Sequence, residues 1–146
     1  MADVEETVGL ASLRRAIKAG GVRAPISELM DFRLVDAGPN WVALEGLPGS
    51  KHYNPIGIVH GGFAATMLDS AAWAAVATTT SADENHTTLE LKVNYMRPMT
   101  DTTGPVRCEG RVVHRGGRVA IAEAKITDGA GKLYAQASST LMIIKQ

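Results

Sequence analysis

Hydrophobic positions along the chain fall into blocks with two different periods. Leu10, Leu13 and Ile17 recur at helical spacing among Arg14, Arg15 and Lys18, which predicts a short amphipathic helix over 7–19, ended by Gly20-Gly21. DFRLVDA (31–37) and NWVALEG (40–46), separated by Gly38-Pro39, read as the strands of a hairpin. Residues 51–57 read as a loop, because Asn54-Pro55 and Gly57 oppose regular structure. From Phe63 to Thr78 the chain is Ala-rich, lacks Gly and Pro, and is apolar almost all the way round, the pattern of a helix covered on most of its surface. From Thr87 the period becomes two: Leu89, Leu91, Val93 and Tyr95 share one side until Arg97-Pro98 ends the strand. Three further strands are predicted at 106–114, 118–127 and 133–144, separated by Gly-containing turns short enough to imply antiparallel pairing.

The order helix, two strands, long buried helix, four strands predicts an α+β domain. A flat sheet covers one stripe of a helix, so a helix apolar on nearly every side needs a curved sheet around it, or a second subunit as well. With 146 residues and 45% apolar content the chain is expected to form one domain over 1–146, with an N-terminal helix and lead-in to residue 29 and a core over 30–144.

Fifteen basic and fifteen acidic side chains cancel, which removes the electrostatic footprint of a general nucleic-acid binder. The single cysteine, Cys108, excludes an intramolecular disulfide and fits an inert core thiol in a reducing compartment. The acidic N-terminus lacks the pattern of a secretory signal, so a cytoplasmic location is expected. Residues 56–77 approach bilayer length but hold His60 and Asp69 and are mostly Ala and Gly, which reads as a buried soluble helix and not a membrane span. His52, His60, His86 and His114 have no ligand-like spacing, so no metal is expected. The glycines at 57, 61 and 62 fit neither dinucleotide nor Walker loops, and no G-x-S-x-G elbow is present.

Three segments carry a family resemblance: NPIGIVHGG (54–62) followed by an A-x-x-x-L-D-x-A run ending at Ala71, TTLELKVNYMRP (87–98), and the closing stretch 110–144 with its VVHRGGR hairpin. In this order they resemble the hotdog fold, a long helix rolled inside an antiparallel sheet, and within it the PaaI-type acyl-CoA thioesterases. The resemblance implies hydrolysis of an acyl-CoA to free acid and CoA by a homodimer or homotetramer, with no cofactor beyond the coenzyme A of the substrate. It also implies Asp69 as general base or nucleophile, with the Gly61 amide and Asn54 polarising the carbonyl in the other subunit.

The residues suit that chemistry. First-turn amides of a helix have no internal partner and sit at its positive end, where an oxygen gaining charge is stabilised, and Gly61 and Gly62 lie there. Asp69 is eight residues further on, about 12 Å at 1.5 Å per residue, so one carbonyl meets both groups only where two antiparallel helices flank a two-fold axis. A buried unpaired carboxylate is costly, which favours a working role for Asp69. His60 is expected to support the loop, and the resemblance implies that either Thr87 or Thr88 assists at the start of the strand, where a β-branched residue opening a strand explains either equally well. Trp73 is a candidate for touching the acyl group, though a bulky core filler explains it too, and Arg97, Arg115 and Arg118 are candidates for the CoA phosphates. Two other functions stand beside hydrolysis. One is a non-catalytic acyl-CoA binding or sensing module, which Asp69 argues against. The other is a hotdog enoyl-CoA hydratase, whose active loop pairs Asp with His, whereas no Asp lies between Lys51 and His60.

Overall fold

The computed structural model describes residues 5–21 and 24–146. Its elements are α1 (Val8–Lys18), α2 (Pro25–Leu29), β1 (Phe32–Gly38), β2 (Trp41–Gly46), a single 3-10 turn (Ser50–His52), α3 (Gly61–Ala77), β3 (Glu84–Tyr95), β4 (Val106–Arg115), β5 (Val119–Asp128) and β6 (Leu133–Lys145). The strands form one antiparallel sheet in the order β1-β2-β4-β5-β6-β3, and α3 packs against five of them. This is the hotdog arrangement. Two elements begin earlier than their local pattern suggests: α3 at Gly61, because His60 caps it, and β3 at Glu84.

Ala and other apolar residues occupy most of α3 because most of it is enclosed. Phe63, Ala64, Met67, Leu68, Ala71, Ala72 and residues 74–77 are buried. Each large side chain among them contributes roughly 1.5–3 kcal/mol by leaving water. The sheet comes close enough to touch helix backbone at Gly110 of β4, where a Cβ would stand 2.4 Å from the Ala71 carbonyl oxygen. The partly open positions, 61, 62, 65, 66, 69, 70 and 73, recur every three to four residues and form one stripe along α3. Among the described residues no helix is long and apolar enough to cross a membrane.

Strand β3 departs from simple alternation. A bulge between Thr88 and Glu90 leaves Leu89 without a partner on β6, and Leu89 is 58% exposed. Leu89 therefore does not share a side with Leu91 and Val93, which pack against the core. One extra residue reverses the side-chain parity, so His86 and Thr88 face inward before the bulge and Leu91 and Val93 after it. The sequence carries no Gly or Pro at this point to announce the irregularity.

The N-terminal segment is more structured than a lead-in. Thr7 caps α1 by accepting the Leu10 amide at 3.1 Å, and its hydroxyl donates to the Thr78 carbonyl at 2.5 Å, so α1 is fastened to the C-terminal end of α3. At that end Arg115 pairs with Glu84 at 2.5 Å and donates to Thr79 Oγ1 at 2.8 Å. Burial alone would raise the Glu84 carboxyl, but the Ser81 backbone, Arg115 and Lys145 reverse this and hold it down at about 2.

Gly110→Ala should destabilise the fold by about 1–3 kcal/mol, since β4 and α3 must part to admit one methyl group. Urea unfolding that gives equal midpoints for variant and parent would show that the contact is not tight.

Candidate active site at the open stripe of the central helix

The loop leading into α3 is held before the helix starts. His52 accepts the Gly49 amide on Nδ1 at 3.0 Å, packs its ring on Phe63, and offers its carbonyl to the His60 amide at 2.7 Å. Its Nε2 is buried 3.4 Å from Asp31 Oδ2 without hydrogen-bond geometry, and burial pulls the imidazole below its ordinary pKa despite the pull of Asp31 upward. Asn54 Oδ1 accepts the amides of Ile56 and Ile58 at 3.1 and 3.3 Å, closing the turn over Pro55 and Gly57. The turn-forming and polarising roles of Asn54 are therefore compatible, because its side-chain NH2 is not used by the turn.

At the helix start the two glycines differ. The Gly62 amide donates to His60 Nδ1 at 2.8 Å, so His60 caps α3 and Gly62 has no free donor to offer. The Gly61 amide has no partner among the described residues. Tyr95 fixes this residue from the other side, its hydroxyl donating to the Gly61 carbonyl at 2.7 Å. A Cβ on Gly61 would stand 3.0 Å from the Tyr95 ring, so close packing by Tyr95 is a reason for glycine here that the sequence did not suggest. Gly61 lies in a cleft of about 430 Å³ with Asn54, His60, Tyr95, Arg97 and Met99.

Two turns along the same stripe, Asp69 Oδ1 accepts the Thr88 hydroxyl at 2.9 Å. Of the two candidate threonines, Thr88 meets the carboxylate, whereas Thr87 lies on the exposed face of β3. Asp69 borders a second cleft, about 290 Å³, with Trp73 along one wall. Trp73 is 43% exposed and so is not a core filler. It is clasped to His86: Trp73 Nε1 donates to the His86 carbonyl at 3.2 Å, His86 Nε2 meets the Trp73 carbonyl at 2.8 Å, and the rings stack 4.2 Å apart. A carbonyl only accepts, so the His86 proton sits on Nε2. Burial lowers the His86 pKa, only partly offset by that carbonyl.

The three arginines separate. Arg97 lines the Gly61 cleft. Arg115 is committed to Glu84, Thr79 and the Gly116 carbonyl, and Arg118 lies in the turn that follows, at the end of α3 opposite Gly61 within this chain. Cys108 is buried, and burial pushes its thiol far up, away from thiolate chemistry. The His86 clasp, the Tyr95 bond and helix α2 escape sequence reading, because each joins residues with no local pattern in common.

Known proteins resemble this chain in sequence and in fold. A family model described as the thioesterase superfamily matches residues 56–135, more than half of the chain. Human acyl-coenzyme A thioesterase 13 is 29% identical over 131 residues, 88% of this chain and 92% of its own. Two Saccharolobus solfataricus proteins with provisional esterase names are 34% and 33% identical over 89 and 90 residues, and the match spans only about 60% of their lengths. Among solved structures, a conserved protein of Pseudomonas aeruginosa superposes with TM-score 0.78 at 30% identity, over 84% of this chain and 95% of that one. A mutant of the phenylacetic acid degradation protein PaaI from Thermus thermophilus superposes with TM-score 0.73 at 24% identity, over 82% and 98%, which shows likeness of fold.

His86→Ala removes the hydrogen bond from Nε2 to the Trp73 carbonyl and the ring stack, while the backbone carbonyl that accepts from Trp73 Nε1 stays, and should cost about 1–3 kcal/mol in urea unfolding. His86 folds with a lowered pKa, so its contribution is complete above the free-imidazole value near 6.5 and declines as pH falls below it. His86→Gln should flatten that decline, and a variant with the parent's slope would show that another group causes it.

Proposed function

The chain belongs to the thioesterase superfamily, and on that premise we propose that it hydrolyses an acyl-CoA thioester at a site shared by two copies of the chain. The observation that carries the reading is the Asp69–Thr88 hydrogen bond on the one uncovered stripe of a helix whose first amide, at Gly61, is free. Thr88 occupies Oδ1 and orients the carboxylate, leaving Oδ2 to act. Asp69 either takes a proton from the attacking water or itself adds to the carbonyl carbon, to give an anhydride that water opens. Both routes break the C–S bond and yield the acid and the CoA thiol. The Gly61 amide, at the positive end of α3, and the Asn54 NH2 stabilise the carbonyl oxygen as charge builds on it. No metal or separate cofactor enters this scheme.

Three features favour sharing between two subunits. Gly61 and Asp69 lie on the same stripe but about 12 Å apart along the helix. The midpoint between them is Ala65, a side chain small enough to let two antiparallel helices approach, and a two-fold axis there sets each Asp69 opposite the other chain's Gly61. Strand β3, twelve residues long, is an edge of the sheet, and pairing with a second β3 would cover its free backbone groups. A homodimer, or a tetramer built from it, is the form this reading requires. Arg97, in the Gly61 cleft, is the arginine best placed for a CoA phosphate. The binding-module alternative gives no role to a carboxylate held by Thr88.

Asp69→Asn should lower kcat by at least a hundredfold in a thiol-release assay while leaving the oligomer intact. Thr88→Val should cost roughly tenfold and Thr87→Val less than twofold. Parent-like turnover by Asp69→Asn would remove hydrolysis at this site.

Mixing tests the sharing. Asp69→Asn and Gly61→Val chains, each inactive alone, should recover roughly one quarter of parent activity when refolded together, since half the dimers are mixed and each has one intact site. No recovery from mixed dimers, verified by mass, would place both groups at one subunit's site.

A further inference from the structure

The cleft beside Asp69 is mostly apolar: about 290 Å³ of space bordered by Asp69, Ser70 and Ser27 is otherwise lined by apolar side chains, among them Leu13, Ile26, Phe32, Leu34, Leu44 and Trp73. Leu13 comes from α1 and Ile26 from α2, both outside the stretch matched to the family, so the N-terminal helices build part of this wall. Ile26 is 46% exposed, and α2 packs on β1 with Ser27 buried. Among the described residues Asp69 is the only charged one lining the cleft, so none of them offers a cation to pair with an anionic ligand tail. Its volume is about twice the roughly 150 Å³ of an apolar protein cavity that holds benzene. A concave, largely apolar space beside one carboxylate oriented by Thr88 suits a ligand with an apolar body and one reacting end.

We infer that this cleft takes the acyl group of the thioester, that the preferred acyl group is uncharged, apolar and of medium length, and that Ile26 of α2 limits how long it can be. This rests on the thioesterase reading of Asp69. With the acyl chain lying between α2 and Trp73, the reacting carbonyl comes beside Asp69. Trp73 keeps its place along the chain because His86 holds both its ring and its backbone.

The test compares acetyl-, octanoyl- and dodecanoyl-CoA with the parent, Ile26→Trp and Ile26→Ala. Ile26 is half-exposed, so both variants should fold, as checked by thermal melts. The parent should favour octanoyl over acetyl by tenfold or more in kcat/KM. Ile26→Trp should cut that ratio at least tenfold, and Ile26→Ala should raise dodecanoyl relative to octanoyl. Ratios unchanged in both variants of an active enzyme would overturn the role of α2 and leave hydrolysis standing. A parent inactive on all three esters would instead overturn hydrolysis. Octanoate binding, followed by titration calorimetry, then decides the cleft: binding weakened tenfold or more by Ile26→Trp upholds it, and equal or absent binding rejects it.

Discussion

A seventeen-residue helix that is apolar on nearly every side must be enclosed, and the rest of the molecule is arranged around meeting that demand. The six-stranded sheet curls round α3, approaching its backbone at Gly110, and α1 closes over its C-terminal end through Thr7 and Thr78. Enclosure stops at one stripe. The free amide of Gly61, the carboxylate of Asp69 and the half-exposed ring of Trp73 all lie on that stripe.

The Asp69–Thr88 contact on the stripe exists only because β3 is irregular. In a regular strand Thr88 and Leu91 would face opposite sides, and one of the two would be lost, either the hydroxyl that holds Asp69 or an apolar side chain that packs on the core. The bulge at Leu89 lets both face inward, at the cost of one exposed leucine. The Trp73–His86 clasp, four residues along the helix from Asp69 and two along the strand from Thr88, then ties helix and strand together where the carboxylate meets its donor. A register slip of one residue would break the clasp and the Asp69–Thr88 bond together.

The helix start shows a similar economy of donors. Of the adjacent glycine amides, His60 consumes one to cap the helix and leaves the other. Asn54 likewise uses its oxygen to close a turn and keeps its NH2. Fixed caps and turns put the remaining donors in place before any ligand arrives, and donors that need not reorganise stabilise developing charge best.

Local patterns in the sequence determine most of the architecture. Periods of 3.6 and 2, broken by Gly and Pro, mark α1, the β1–β2 hairpin, α3 and the strands β3 to β6, because these signals depend on neighbours a few residues apart. Asp69 stands out by the same logic, as a carboxylate where the pattern calls for apolar residues. Tertiary structure alone decides what depends on distant partners. The bulge that turns Leu89 outward is set by pairing with β6, and Thr88 is separated from Thr87 only by which face meets a helix nineteen residues away. Arg115 is diverted from any phosphate by Glu84, thirty-one residues earlier in the chain. Helix α2, five residues long, is too short for any period to reveal, yet it lines the cleft next to Asp69. Periodicity records which face of an element is buried, and only the assembled fold determines what that face meets.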